Sequence, residues 1–225
     1  MMNLRSSLET DGYAIARNFL DKDELNSLLQ CCESVSDQYG VRNLLKRLPR
    51  IQDILFAPKL HTLLDALECA DALPVRSLFF NKNHANNWLV PWHQDLSIAV
   101  NQKTDAGGYA KWTHKDDTHY VEPPVEILES ILTLRFALDS ADEDNGALKI
   151  LPGSHLLGKL NSEGIQDLKE KRMPVSCSVQ AGDLLLMRPL LVHSSAKAVN
   201  PSNRRVVHLE LSSASLASPM IWAEC

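Results

Sequence analysis

The sequence lacks several features that would place it in other classes of protein. No block of lysine and arginine occurs: the densest basic stretch, Lys169-Glu170-Lys171-Arg172, carries an acid inside it, and the formal net charge is −5. A nucleic-acid or anionic-membrane partner is therefore disfavoured. There is no run of about 18 apolar residues, so no transmembrane helix is expected. The opening stretch, Met1 to Glu9, has no apolar signal core, and the expected location is the cytoplasm. Cysteine is scarce and shows no pairing pattern. Cys31, Cys32, Cys69, Cys177 and Cys225 form an odd set without a CxxC, which excludes a disulfide scaffold and a zinc ribbon and leaves free thiols in a reducing compartment. Internal repeats and low-complexity tracts are absent.

What is present suffices for a core. Apolar residues make up 44% of 225 positions, enough to fold without disulfide or metal staples. We expect one domain over residues 1–225, with a mostly helical part at 1–74 and a strand-rich remainder. Asp21 followed by Glu24 reads as a helix start, and Leu25, Leu28, Leu29 and Cys32 fall on one face of a helix over 21–35. A short strand over 13–16 precedes it. Further helices are expected over 42–46 and over 58–67, where Leu60, Leu63, Leu64 and Leu67 recur at helical spacing.

From Val75 onward short apolar runs alternate with turn residues. Strands are expected over 75–80, 89–91, 96–100, 130–138, 147–151, 175–179, 183–187, 190–194 and 205–212. That pattern predicts a mainly β fold with flanking α: a sandwich, a jelly roll or a cupin-like barrel. The polar stretch 101–124 reads as an insertion of the kind that forms lids over sites.

The stretch from Asn87 to Asp95 carries the chemistry. His93 and Asp95 are two apart, and in a strand such residues face the same side. Two histidines and one carboxylate form the facial triad of non-haem Fe(II) oxygenases, which leaves coordination positions open. A second histidine must come from a distant strand, and His193, ending the apolar run 190–192, is the best candidate. His-x-Asp recurs as His114-Lys115-Asp116, but that copy has no apolar flank to fix it. An oxygenase of this type also needs a source of electrons, usually 2-oxoglutarate, whose distal carboxylate calls for an arginine fork. Arg204 and Arg205 open the last strand; alternation turns one inward and one outward, and the residues alone leave open which. In 130–138, Leu132, Leu134, Phe136 and Leu138 take one face. Thr133 and Arg135 take the other, which makes them candidates for co-substrate or substrate contact. Trp88, Trp92, Trp112 and Tyr109 are candidates for the walls of a substrate cavity.

Together these residues resemble the phytanoyl-CoA dioxygenase family. The resemblance rests on His93-Gln94-Asp95, the stretch Gly146 to His155 with its Leu151-Pro152-Gly153-Ser154-His155, Gly182-Asp183, His193 with Arg204 eleven residues on, and the opening Asp11-Gly12-Tyr13-Ala14-Ile15. It runs from about Asp11 to Ser212. It implies a double-stranded β-helix, a form of jelly roll, with N-terminal helices packed outside. It implies Fe(II) held by His93, Asp95 and His193, with O2 and 2-oxoglutarate as co-substrates. Arg204 would hold the distal carboxylate of 2-oxoglutarate, with Ser195 assisting and Lys82 as a further contact. The implied reaction hydroxylates a small molecule and releases succinate and CO2. An intact Asp95 argues against halogenation, because halogenases of the family replace this carboxylate with a small residue. The segment ending at His155 is implied to lie near the site without binding metal.

Two other classes are compatible with the same residues. One is a cupin-type metalloenzyme that does not use 2-oxoglutarate. The other is a non-catalytic small-molecule-binding protein on the same scaffold. The expected partner in every case is a small molecule, and the expected assembly is a monomer or a small homo-oligomer.

Overall fold

Alternation along the strands decides which side of each one meets the core. In the computed structural model, which describes residues 2–38, 40–199 and 203–224, this produces two facing antiparallel sheets with a helical layer on one of them. The front of the chain forms α1 (Met2–Thr10), β1 (Tyr13–Ala16), α2 (Lys22–Cys32), β2 (Gly40–Arg42), α3 (Leu44–Arg47), α4 (Arg50–Leu55) and α5 (Pro58–Ala66). Then come β3 (Leu73–Lys82), β4 (Val90–His93), β5 (Ile98–Val100), β6 (Ala110–Lys115), β7 (Thr118–Glu122) and α6 (Val125–Glu129). The last part holds β8 (Leu132–Ala137), β9 (Leu148–Ile150), α7 (Ser162–Lys171), β10 (Val175–Cys177), β11 (Leu184–Met187), β12 (His193–Ser195) and β13 (Arg204–Ser212).

The larger sheet runs β1-β11-β8-β13-β3-β2 and the smaller β10-β9-β12-β4. The chain crosses between them at β3–β4, β8–β9, β10–β11, β11–β12 and β12–β13. This strand order is that of a double-stranded β-helix, so the fold is mainly β with flanking helices as the sequence predicts.

Leu132, Leu134 and Phe136 of β8, Leu184 and Leu186 of β11, and Val207, Leu209 and Leu211 of β13 face one side of the larger sheet. They are buried against Leu28 of α2, Leu44 of α3, Ile51 and Leu55 of α4, and Leu60, Leu63 and Leu64 of α5. Asp21 caps α2 by accepting from Asp23 and Glu24 N–H, and the Glu24 carboxylate accepts from Asp21 N–H in return. The inner faces of the sheets meet through Ala137, Leu148, Ile150, Leu185, Met187 and Leu191.

Some boundaries differ from the sequence reading. Arg42 ends a strand instead of opening a helix, and α1, α4, α6 and α7 are short or polar enough to escape the periodicity test. The stretch 101–124 contains β6 and β7, which join β5 in a three-stranded sheet. Asp116 and Asp117 form a two-residue turn with φ of 48° and 56°, the left-handed pair that a type I′ hairpin requires. Tyr120 and Val121 of β7 are buried, and Val121 belongs to a cluster with Val75, Ile98 and Trp222. Within this sheet β6 is mostly polar and exposed, with Trp112 as its one large apolar residue, and it hides the hairpin from a hydrophobicity scan. Cys31, Cys32, Cys69 and Cys177 are free, and burial pushes the Cys32 and Cys177 thiols up to about 12, which keeps them protonated and inert. Cys225 lies outside the described residues. No helix among the described residues is long and apolar enough to cross a membrane.

Asp183 anchors β11 to the N-terminal segment. Its carboxylate is fully buried and accepts from Asn18 N–H at 2.8 Å, Gln180 N–H at 2.8 Å and Arg17 Nη1 at 2.7 Å. Burial alone would raise its pKa, but these donors outweigh burial and hold it below the ordinary carboxylate value. The stability it contributes is complete above the unfolded value of about 4 and is lost as pH falls through the depressed folded value. Asp183→Ala leaves buried N–H donors unpaired and is expected to lower the unfolding free energy by about 3 kcal/mol at pH 7. Urea titrations at pH 7 and near pH 3 check this: the gap between wild type and variant should narrow at the acid end.

Candidate metal centre and its cavity

β12 lies antiparallel to β4 with His193 directly opposite His93. The register alone therefore brings together two residues a hundred positions apart. Their rings stand 4.2 Å apart between centroids, tilted by 51°. His93 Nδ1 lies 2.8 Å from Pro91 O and His193 Nδ1 2.8 Å from Leu191 O. A carbonyl oxygen only accepts, so each ring carries its proton on Nδ1 and presents a bare Nε2 lone pair. Both Nε2 atoms turn toward Asp95, at 3.5 Å from His93 to Oδ1 and 3.7 Å from His193 to Oδ2. One donor atom from each of the three residues lies within 4.8 Å of the others. Asp95 is itself fixed through its N–H to Pro189 O at 2.9 Å.

The residue between the ligands has a structural role. Gln94 is buried; its Nε2 donates to Gly158 O at 2.8 Å and Leu190 O at 2.7 Å, and its Oε1 accepts from Leu160 N–H at 2.8 Å. It ties the stretch after β4 to the loop before β12. His93 and Asp95 alternate to the opposite side.

Electrostatics favour a cation at this point. Burial would raise the Asp95 pKa, but His193, His93 and His208 outweigh it and hold the carboxyl well below the usual range. Burial disfavours a charged His93, yet the hydrogen bond and charge of Asp95 keep its pKa above the ordinary value. Burial pushes His193 down to about 4, so this imidazole is neutral and available as a ligand at pH 7. The residues fit a divalent metal that takes two imidazoles and a carboxylate on one side. The side chains of His93 and Asp95 remain 36% and 28% exposed, which leaves the other side open for further ligands.

The triad borders a cavity of about 250 Å3 between the sheets, lined also by Leu78, Phe80, Trp88, Val90, Ser195 and Arg204. Arg204 is buried, its Nε has no partner, and burial followed by the nearby Arg135 pushes its pKa down to about 10. Arg205 points the other way, with Nε and Nη2 donating to the two oxygens of Asp139 at 2.8 and 2.7 Å. Arg204 is thus the arginine of that pair that faces the cavity. Ser195 Oγ donates to Gly146 O at 2.8 Å and accepts from Lys82 Nζ at 2.9 Å. Lys82 also donates to Ala196 O at 2.7 Å, and burial, with Arg204 and Arg135 adding to it, pushes its pKa down to about 8. Gly146 has φ +83°, and a Cβ there would stand 2.7 Å from Ala196 O. That crowding leaves this corner open only to glycine.

The other candidates divide. Arg135 lines the cavity; Thr133, two residues back on the same face of β8, is buried outside the lining with its Oγ1 unpartnered. Trp88 is a wall of the cavity. Trp92 packs on Leu151, Leu168 and Val192, and Trp112 and Tyr109 pack beside Val75 and Ile98. His155 sits in a short turn with Nε2 3.3 Å from Glu9 O, away from the triad's lining. Sequence reasoning passed over Arg76, His208 and Glu210, which also line the cavity. The signal was available, since Arg204, His208 and Glu210 share one face of β13.

A family model described as phytanoyl-CoA dioxygenase (PhyH) matches residues 8–206. The peroxisomal phytanoyl-CoA dioxygenase of Homo sapiens is 26% identical over 132 residues, 52% of this chain and 38% of that protein. The chain thus spans well under half the length of the curated relatives it matches. Among solved structures, AviO1 from Streptomyces viridochromogenes superposes with a TM-score of 0.71 at 22% identity, covering 97% of each chain. EctD from S. alaskensis, solved with 2-oxoglutarate and 5-hydroxyectoine, gives 0.73 at 15% identity over 95% of this chain and 76% of its own. At these identities the structural likeness is one of fold.

Proposed function

We propose, from the premise that the chain belongs to the phytanoyl-CoA dioxygenase family, that it is an Fe(II)- and 2-oxoglutarate-dependent oxygenase. It hydroxylates an unactivated C–H bond of a small molecule and releases succinate and CO2. The observation that carries this reading is the convergence of two Nδ1-protonated imidazoles and one low-pKa carboxylate on a single point at the edge of a small cavity. That donor set suits Fe(II) with positions to spare. When bound, the metal supplies the redox centre at which oxygen and the co-substrate are consumed.

The chain's own residues would do the rest. His93, Asp95 and His193 would hold the metal, and the carbonyls of Pro91 and Leu191 keep the imidazoles aimed at it. Arg204 would hold the distal carboxylate of 2-oxoglutarate, because its buried guanidinium has no carboxylate of its own to pair with among the described residues. Ser195 and Lys82, bonded to each other, stand at the same end. Leu78, Phe80, Trp88 and Val90 line the remaining wall with apolar surface that excludes water from the reacting bond.

The test is turnover of 2-oxoglutarate. With Fe(II) and air the protein is expected to form succinate and CO2 slowly even without its prime substrate, and a chelator should stop this. A protein that binds Fe(II) tightly and forms no succinate, with or without candidate substrates, would contradict the proposal.

A further inference from the structure

The cavity carries more positive charge than the metal and co-substrate use. Arg76, Arg135 and Arg204 line it, and Lys82 bonds Ser195 at its edge. Among the described residues two carboxylates line it, Asp95 and Glu210. A divalent metal and a dianionic co-substrate cancel one another, so an excess of positive charge remains when both are in place. Buried uncompensated charge is expensive, and a site that keeps one is built for a counter-charge from outside.

The register of the sheet shows where the excess lies. Glu210 pairs across β13 and β3 with Arg76, whose Nη1 is 3.2 Å from Glu210 Oε1. That pair is balanced. Arg204 stands opposite Lys82 at the Ser195 end, where the co-substrate's distal carboxylate is expected. Arg135 lies on the far strand, β8, opposite His208. Its Nη1 donates to His208 Nδ1 at 2.9 Å. That Nδ1 must then accept, so His208 is the neutral Nε2–H tautomer, consistent with its 3.3 Å contact to Glu210 Oε1. A neutral imidazole orients the guanidinium without cancelling its charge. The Phe80 ring supports it from the side, 5.7 Å from the guanidinium carbon. No carboxylate among the described residues pairs with Arg135, and it lines the same cavity as the triad. An oriented guanidinium with free donors is a carboxylate receptor.

Size points the same way. The cavity is about 250 Å3, below the roughly 300–1,000 Å3 of sites that enclose drug-sized ligands, and metal and co-substrate fill part of it. The space left suits a molecule of amino-acid size.

We propose that Arg135 holds a carboxylate of the prime substrate, so that the enzyme acts on a small organic acid. The inference rests on the oxygenase reading above, and its test keeps the two apart. Protein loaded with Zn(II) in place of iron is first titrated with 2-oxoglutarate by calorimetry; absence of binding there would count against the oxygenase reading itself. The saturated complex is then titrated with matched pairs: isovalerate and isovaleramide, benzoate and benzamide, cyclohexanecarboxylate and its amide. At least one acid should bind about tenfold or more tightly than its amide, as expected for hydrogen bonds to a charged group. Arg135→Gln should erase that preference, Arg135→Lys should retain part of it, and both should weaken 2-oxoglutarate by less than Arg204→Gln does. The proposal is overturned if no acid binds better than its amide, or if the preference survives in Arg135→Gln. It is also overturned if either Arg135 variant weakens 2-oxoglutarate as much as Arg204→Gln does. Should Arg135→Gln fail to fold, the wild-type pairs and Arg135→Lys still decide.

Discussion

Asp95→Ala is expected to abolish 2-oxoglutarate turnover and to weaken divalent-metal binding by at least about a hundredfold, more than the loss of an outer-shell partner. Asp95 is the only carboxylate of the three donors, and its two oxygens face one imidazole each. Without it the metal keeps two neutral nitrogens and loses its anionic ligand. The protein should remain folded, because the side chain is 28% exposed and its backbone N–H bond to Pro189 O does not depend on it. The variant also removes the partner that raises His93, so the His93 pKa should fall toward or below its ordinary value. Metal titration by calorimetry and ring titration by NMR of the metal-free protein read the two effects separately. Full activity in Asp95→Ala would exclude the triad.

Arg204 gives the second large effect, and its sign differs between binding and stability. Arg204→Gln is expected to weaken 2-oxoglutarate by roughly 2–5 kcal/mol, the loss on truncating one member of a buried charge pair. In the ligand-free protein the same residue is a liability. Its guanidinium is buried beside Arg135, has an unpartnered Nε, and is pushed down to about 10. Arg204→Leu should therefore raise the stability of the ligand-free protein by about 1–3 kcal/mol, since well-packed apolar groups often outperform buried charge. Arg205→Gln is the control. It breaks the paired contact with Asp139, should lower stability by about 1 kcal/mol, and should leave 2-oxoglutarate affinity unchanged. If Arg205→Gln weakens the co-substrate and Arg204→Gln does not, the inward face of β13 has been misassigned.

Much of this site could be read from the sequence because strands impose a strict period of two. His93 and Asp95 share a face for that reason, and so do Thr133 and Arg135. The same rule says that Arg204 and Arg205 must point apart, but it cannot say which one points inward. The sheet settles that through Val206, whose neighbours on the inner face include Phe80 and Ala137 across the ladder. His208 and Glu210 sit on the face of Arg204 and were open to the same argument. They were passed over because buried polar residues inside an apolar-looking strand read as breaks in the pattern. Depth along a strand is a different matter. Thr133 and Arg135 face the same side, yet only Arg135 reaches the cavity, because depth depends on the position of the opposite sheet. The three tryptophans show the same limit. Composition marks them as apolar anchors, but Trp88 meets the cavity while Trp92 and Trp112 pack in other clusters. The hairpin β6–β7 was hidden by its polar outer strand, although Asp116-Asp117 between two strand-length runs is turn chemistry of a recognised kind.

The most direct test of the central claim is an anaerobic titration of the Fe(II)-loaded protein with 2-oxoglutarate, followed by visible absorption. The account predicts a charge-transfer band that grows to one equivalent of 2-oxoglutarate per iron and is absent in His193→Ala, because metal and co-substrate would meet only at the point where the two imidazoles and Asp95 converge. Iron that binds stoichiometrically while 2-oxoglutarate produces no band and no binding heat would contradict it.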